Sequence, residues 1–239
     1  MKISLMIPCF VDLYYPKVGI SAVELLERLG HEVDYPTAFR CCGQPPFNTG
    51  CHDEARRVAA DVLDIYADAE AVVVPSGSCA TMCKVFYGEL FDSPEQKAKS
   101  EALAGKVWEF SDFLVTKLGV TDVGAALDGT ATFHDGCHGL REMGVKSQPR
   151  QLLENGQGLT LKEMDECETC CGFGGTFAVK FPEVSTAMAE VKAGSVARTQ
   201  ADYLISNDSS CLMHLEGYFK KQGIKTRCLH LAEVLASTN

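Results

Sequence analysis

The sequence predicts an α/β protein made of two pseudo-repeated α/β domains, each with a mainly parallel sheet. Three observations lead there. Short β-prone apolar runs alternate with stretches of helical periodicity, the pattern of helices covering a parallel sheet. Four landmarks recur in the same order along the 239 residues, which marks an internal repeat. And cysteines stand just after the apolar runs, where parallel sheets gather functional groups at their carboxyl ends.

The landmarks are these. Ile7-Pro8-Cys9-Phe10 is answered by His134-Asp135-Gly136-Cys137-His138, with the cysteine 128 residues on. Cys41-Cys42-Gly43 returns as Cys170-Cys171-Gly172, offset by 129. The run 72–79, ending at Cys79, is echoed by 204–211, ending at Cys211, and 108–114 is matched by 229–235. Residues 2–7 read as a strand, 19–29 as a helix stopped by Gly30, and 31–35 as a second strand. A helix over 53–66 carries apolar Ala55, Val58, Ala59, Val62, Leu63 and Tyr66 on one face. Residues 71–74 form a buried-type strand, and 107–118 read as a helix. The second half opens on the β-prone run 130–133 and follows the same order. The seam falls within 119–129, giving domains over 1–125 and 126–239.

Composition narrows the functional classes. With 46% hydrophobic and 23% charged residues the chain is globular. Its 22 basic against 32 acidic residues leave a net charge of −10, which argues against nucleic acid or an anionic membrane as the main partner. Pro8 breaks the early apolar run, Asp12 ends it, and no cleavage site follows, so no targeting segment is read. No run approaches the ~18 apolar residues of a membrane span. A cytoplasmic chain is expected. Thiols stay reduced there, so the twelve cysteines read as metal ligands or redox groups rather than disulfides.

Their spacing is the strongest signal. Thirty-one residues separate Cys9 from Cys41 and 36 separate Cys42 from Cys79; the second half has 32 and 39. Packing alone does not produce such a repeat. A bridge between adjacent cysteines is strained, because neighbouring Cα atoms lie about 3.8 Å apart, short of the roughly 4.4–6.8 Å of a relaxed disulfide. As metal ligands, adjacent thiolates can converge where the backbone turns, and Gly43 and Gly172 supply that freedom. Each half therefore reads as a Cys…Cys-Cys-Gly…Cys metal site. An iron–sulfur cluster on four thiolates fits best. Zinc stays open as an alternative or replacement, although neither half has the Cys-x-x-Cys knuckle common in zinc sites.

Cys41-Cys42-Gly43-Gln44-Pro45, Gly77-Ser78-Cys79, the run Cys170-Cys171-Gly172-Phe173-Gly174-Gly175-Thr176-Phe177 and the closing segment 230–235 resemble the CCG cysteine-rich domain of iron–sulfur electron-transfer proteins. That domain occurs in heterodisulfide reductase and in iron–sulfur subunits of glycolate and glycerol-3-phosphate oxidising enzymes. The likeness covers the whole chain. A stand-alone pair of this length is similar to the lactate-utilisation group of the family. The resemblance implies a non-autonomous oxidoreductase subunit passing electrons within a cytosolic complex that oxidises L-lactate to pyruvate, with other subunits of that complex as partners. It implies up to two iron–sulfur clusters, of 4Fe-4S type. The carried-over ligands are Cys9, Cys41, Cys42 and Cys79, then Cys137, Cys170, Cys171 and Cys211. The heterodisulfide reductase relative has a further cysteine three positions past the fourth ligand and holds a noncubane cluster; Met82 and His214 stand there in this chain. Cys83, one residue late, is a substitute in the first site.

Other residues carry less. Cys51, Cys167 and Cys228 have no partner at the repeat offset; Cys228 reads as a core residue beside a helix start, and Cys167 lies near Cys170 as a lesser ligand candidate. His134 and His138 flank Cys137 in either a ligand-side or a capping and packing role. His31 and His52 read as surface residues. Gly172-Phe173-Gly174-Gly175 lacks the dinucleotide-binding spacing, and no phosphate loop occurs. A Cys137–His138–Asp135 nucleophilic site is disfavoured because triad members meet in space rather than along the chain. The two sites are expected to differ: Pro45 and Pro46 after the first pair have no N–H to donate, whereas the second pair is followed by glycines that let N–H groups approach.

Overall fold

The computed structural model describes residues 1–238. β1 (Lys2–Leu5), β2 (Glu32–Asp34), β3 (Ala71–Val74) and β4 (Val107–Glu109) form one sheet in the order β2-β1-β3-β4. β5 (Ala126–His134), β6 (Gln157–Leu161), β7 (Tyr203–Ser206) and β8 (Arg227–His230) form another in the order β6-β5-β7-β8. Every pairing is parallel. The two orders are one pattern written twice, as the repeat requires.

Local chemistry explains the elements. β3 is Ala-Val-Val-Val with all four residues buried, the composition of a strand covered on both faces. Pro16 opens the helix Pro16–Arg28, which buries Val18, Ala22, Leu25 and Leu26 along one face. The helix His52–Ile65 buries Ala55, Ala59, Val62 and Leu63.

Two expectations are corrected. Residues 107–118 do not form one helix: Val107–Glu109 pair with β3 as an edge strand. The Glu109 carboxylate then accepts the Ser111 and Asp112 N–H groups at 2.8 and 3.1 Å, ending the strand and starting a helix at Phe110. That helix loosens into a π-helical turn over Phe113–Lys117. Residues 229–235 behave alike, with Leu229 and His230 closing β8 before the helix Leu231–Ala236. Cys228 accordingly lies on a strand, not beside a helix start.

The strand period of two separates the cores. Ile3 and Leu5 of β1, Val73 of β3, and Ala131 and Phe133 of β5 face a core shared by both halves, joined by Leu25, Phe110, Phe113 and Leu235. Met6, Val72 and Val74 face a second core with Tyr66, Tyr87 and Cys42. Leu204 faces a third with Leu212, Leu215, Phe219, Cys171 and Cys211. Arg28 reinforces the shared core by donating to the carbonyls of Leu235 at 2.9 Å and Ala236 at 3.1 Å, covering the C-terminal end of a helix from the other half. No helix among the described residues is long and apolar enough to cross a membrane.

Candidate metal centres

The carboxyl ends of β1, β3, β5 and β7 each deliver a cysteine. Cys9 starts the helix Cys9–Tyr14 after β1, and Cys79 lies in Gly77–Thr81 after β3. Cys137 starts Cys137–Met143 after β5, and Cys211 lies in Ser209–Gln222 after β7. Ser76 caps the helix that carries Cys79, its Oγ accepting the Cys79 N–H at 3.4 Å. The adjacent pairs come from loops. Gly43 and Gly172, at φ +81° and +93°, turn the chain after each pair. At Gly172 a Cβ would stand 2.6 Å from the Ser185 carbonyl oxygen, so only glycine fits.

Cys9 Sγ lies 3.7 Å from Cys41 Sγ, and Cys42 Sγ 3.3 Å from Cys79 Sγ. All twelve cysteines are free thiols. The eight cysteines of the two repeats line one cavity of about 180 Å³. Each half thus brings its set to the edge of its own sheet, and the two edges face each other.

The join between them is tight and polar. Gly77 and Gly139 let the Cys79 and Cys137 helices touch, since a Cβ on Gly77 would stand 3.2 Å from the Gly139 Cα. Asp208, 3% exposed, crosses the join: it accepts the Ser78 N–H at 2.9 Å and the hydroxyls of Ser78 at 2.9 Å and Ser76 at 3.1 Å. Gln44 reaches the His138 Nδ1 at 2.7 Å, and Phe10 meets Phe173 edge-on at 5.7 Å.

The sulfurs perturb one another. Donation from Cys42 and then Cys9 pulls the Cys41 thiol far below its ordinary range; Cys137 and then Cys171 do the same to Cys170. The donors are pushed up in turn, Cys9 by its bond to Cys41 and Cys137 by its bond to Cys170, with burial adding to both. Cys41 and Cys170 are therefore shifted toward the thiolate, while Cys9, Cys42, Cys137 and Cys171 are shifted toward the protonated thiol. Thiolates are the ligating form, so this donor set suits a metal centre.

The centres differ in their surroundings. Gly43 N–H reaches Cys41 Sγ at 3.4 Å in the first. In the second, Gly172 N–H reaches Cys170 Sγ and Phe173 N–H reaches Cys171 Sγ, each at 3.4 Å. Behind the second centre, fully buried Lys192 donates to the Glu166 and Cys167 carbonyls. His134 is also fully buried, and burial pushes it down to about 3, so the ring is neutral. A bidentate Arg150–Asp135 pair, at 2.8 and 2.9 Å, holds the turn that leads to Cys137.

Cys83 lies outside the cavity, buried with its Sγ 3.8 Å from Met6 Sδ. Cys167 is not on the cavity wall; its carbonyl accepts the Asp135 N–H. His214 packs by Ser185, 3.3 Å from its Oγ, and Cys51 and His52 are exposed. Asp208 and Gln44 were not singled out from the sequence. Their partners are distant along the chain, and the only local signal is the match of Asp208 to the Ser76 region in the repeat.

Comparison with known proteins places these features in context. The CCG cysteine-rich domain family matches residues 3–84 and 131–216. A protein named Lactate utilization protein A from Bacillus cytotoxicus is 46% identical over 237 residues, covering 99% of both chains. Its namesake from Geobacillus kaustophilus is 46% identical over 239 residues, covering all of both. Among solved structures, a hypothetical protein from Helicobacter pylori superposes with a TM-score of 0.71 at 12% identity. The superposition covers all of this chain and 49% of that one, and it shows likeness of fold alone.

Proposed function

Because the chain belongs to the CCG cysteine-rich domain family and carries the domain twice, we propose that it is an iron–sulfur electron-transfer subunit of a cytoplasmic complex that oxidises L-lactate to pyruvate. The observation that carries this reading is the set of eight thiols, four from each repeat, on one cavity wall. Cys9, Cys41, Cys42 and Cys79 would hold the first centre within domain 1–125. Cys137, Cys170, Cys171 and Cys211 would hold the second within domain 126–239. The names of the relatives matched along the whole chain, Lactate utilization protein A, support lactate as the substrate.

A bound iron–sulfur cluster supplies reversible one-electron storage. The chain's own part is to hold two such centres face to face. Gly77 against Gly139 and the Asp208–serine bonds fix their separation. Backbone N–H groups stabilise sulfur charge, and the glycine turns let each adjacent pair point inward. Oxidising a 2-hydroxy acid also needs a two-electron acceptor, and the sequence carries no flavin or nicotinamide motif, so partner subunits take that step. The Sγ separations of 3.7 and 3.3 Å favour one second reading, a scaffold protein with structural zinc, whose ~2.3 Å bonds put sulfurs about 3.8 Å apart.

Complementation tests the role. In a strain lacking the gene, the native chain should restore growth on lactate, while Cys41→Ser and Cys170→Ser should not, with growth on glucose unaffected. Restoration by both variants contradicts the proposal, as does lactate turnover by the purified chain alone.

A further inference from the structure

β1 and β5 occupy equivalent places in their sheets. Leu5 pairs with Val73 and Phe133 with Ile205, so the next residues, Met6 and His134, are counterparts. Each stands three residues ahead of the first cysteine of its set and is fully buried. Each also follows a residue that faces the shared core, so it lies on the sheet face toward the cysteines. Met6 is at home there, packed in the core that contains Cys42, Cys79 and Cys83. His134 is not. Neither of its ring nitrogens has a hydrogen-bond partner. A buried polar group without one costs about 1–3 kcal/mol, and histidine has no packing advantage over methionine to offset that.

What surrounds the ring explains it. A His134 nitrogen and the sulfurs of Cys171 and Cys211 all lie within 4.8 Å of one another. Those cysteines are the counterparts of Cys42 and Cys79, which belong to the same core as Met6 in the first half. Metal bonds of about 2.3 Å to sulfur and 2.0–2.1 Å to imidazole nitrogen suit a group of this size. We infer that His134 is a ligand of the second metal centre through an imidazole nitrogen. The first centre is then held by sulfur alone and the second by sulfur and nitrogen. The inference rests on the reading that the cysteines hold a metal, but not on which metal.

The test uses the full chain with the first centre removed by Cys41→Ser and Cys42→Ser, reduced and metal-free, with cobalt(II) as the added ion. Nitrogen hyperfine coupling to the bound cobalt should appear in pulsed EPR spectra. His134→Met installs the counterpart residue and preserves packing. It should abolish the coupling and weaken cobalt binding about 10–100-fold, at least the loss seen when groups that merely orient ligands are removed. In a chain carrying Cys170→Ser and Cys171→Ser instead, Met6→His should create the coupling at the first centre. Coupling or affinity unchanged by His134→Met overturns the inference, and so does a second centre that takes up no cobalt. The electron-transfer reading fails separately: the native chain would then hold no iron and sulfide after anaerobic reconstitution, whatever the cobalt result.

Discussion

Replacing Arg150 with methionine should destabilise the whole chain and disturb the second centre before the first. Asp135 is 1% exposed and sits two residues ahead of Cys137. Its two carboxylate oxygens are held by Arg150 Nη1 at 2.8 Å and Nη2 at 2.9 Å. The same guanidinium donates to Glu163 at 2.6 and 3.0 Å and to the Lys146 carbonyl at 2.7 Å. Methionine keeps the apolar stem but leaves the Asp135 charge buried and alone. Removing one partner of a buried pair costs about 3–5 kcal/mol. At roughly 2–4 °C per kcal/mol for a domain of this size, that is a fall in Tm of about 6–20 °C. The control is Lys146→Met. It breaks a pair with Glu168 whose side chains are 51% and 52% exposed, worth about 0–1 kcal/mol. Thermal and urea unfolding of the metal-free chain measure both losses. Metal content in Cys41→Ser and Cys170→Ser backgrounds then reports each centre separately. Adding Asp135→Asn to Arg150→Met should recover part of the loss, because the orphaned charge is gone. A cost below about 1 kcal/mol, or equal metal loss from both centres, would refute the reasoning.

Further outcomes follow from the geometry. Gly172→Ala should cost more stability than Gly43→Ala, since both have positive φ but the added Cβ meets the Ser185 oxygen at 2.6 Å in one case and a Val58 methyl at 3.3 Å in the other; equal unfolding midpoints would contradict this. Burial pushes the Glu109 carboxyl up to about 7, with one oxygen left unpartnered. The folded state therefore binds the extra proton, and stability should fall as pH rises from 4.5 to about 7 by on the order of 3 kcal/mol. Glu109→Gln should flatten that slope in denaturation curves taken across the range. In redox titrations, the centre that survives in Cys41→Ser should have a higher potential than the one that survives in Cys170→Ser. Two N–H groups reach the second set of sulfurs and one reaches the first; the reverse order would remove the donor argument.

The cysteine spacing and the strand–helix alternation were legible because they are local. β1, β3, β5 and β7 announce themselves as apolar runs that stop at a cysteine turn. β4 was not legible: Val107-Trp108-Glu109-Phe110 satisfies helical periodicity equally well, and only its pairing with β3 makes it a strand. β8 was hidden in the same way. The meeting of both cysteine sets on one cavity was also out of reach. It depends on Gly77 lying against Gly139 and on Asp208 bonding to serines more than a hundred residues upstream. His134 was visible as a residue near Cys137, but its lack of partners is a property of the packed chain alone.

Iron and acid-labile sulfide per chain, measured after anaerobic purification and reconstitution, test the central claim most directly. Two thiolate-held 4Fe-4S centres predict a brown protein with about eight irons and eight sulfides, and about half of each in Cys41→Ser or Cys170→Ser. A colourless protein with stoichiometric zinc and no sulfide would contradict the account.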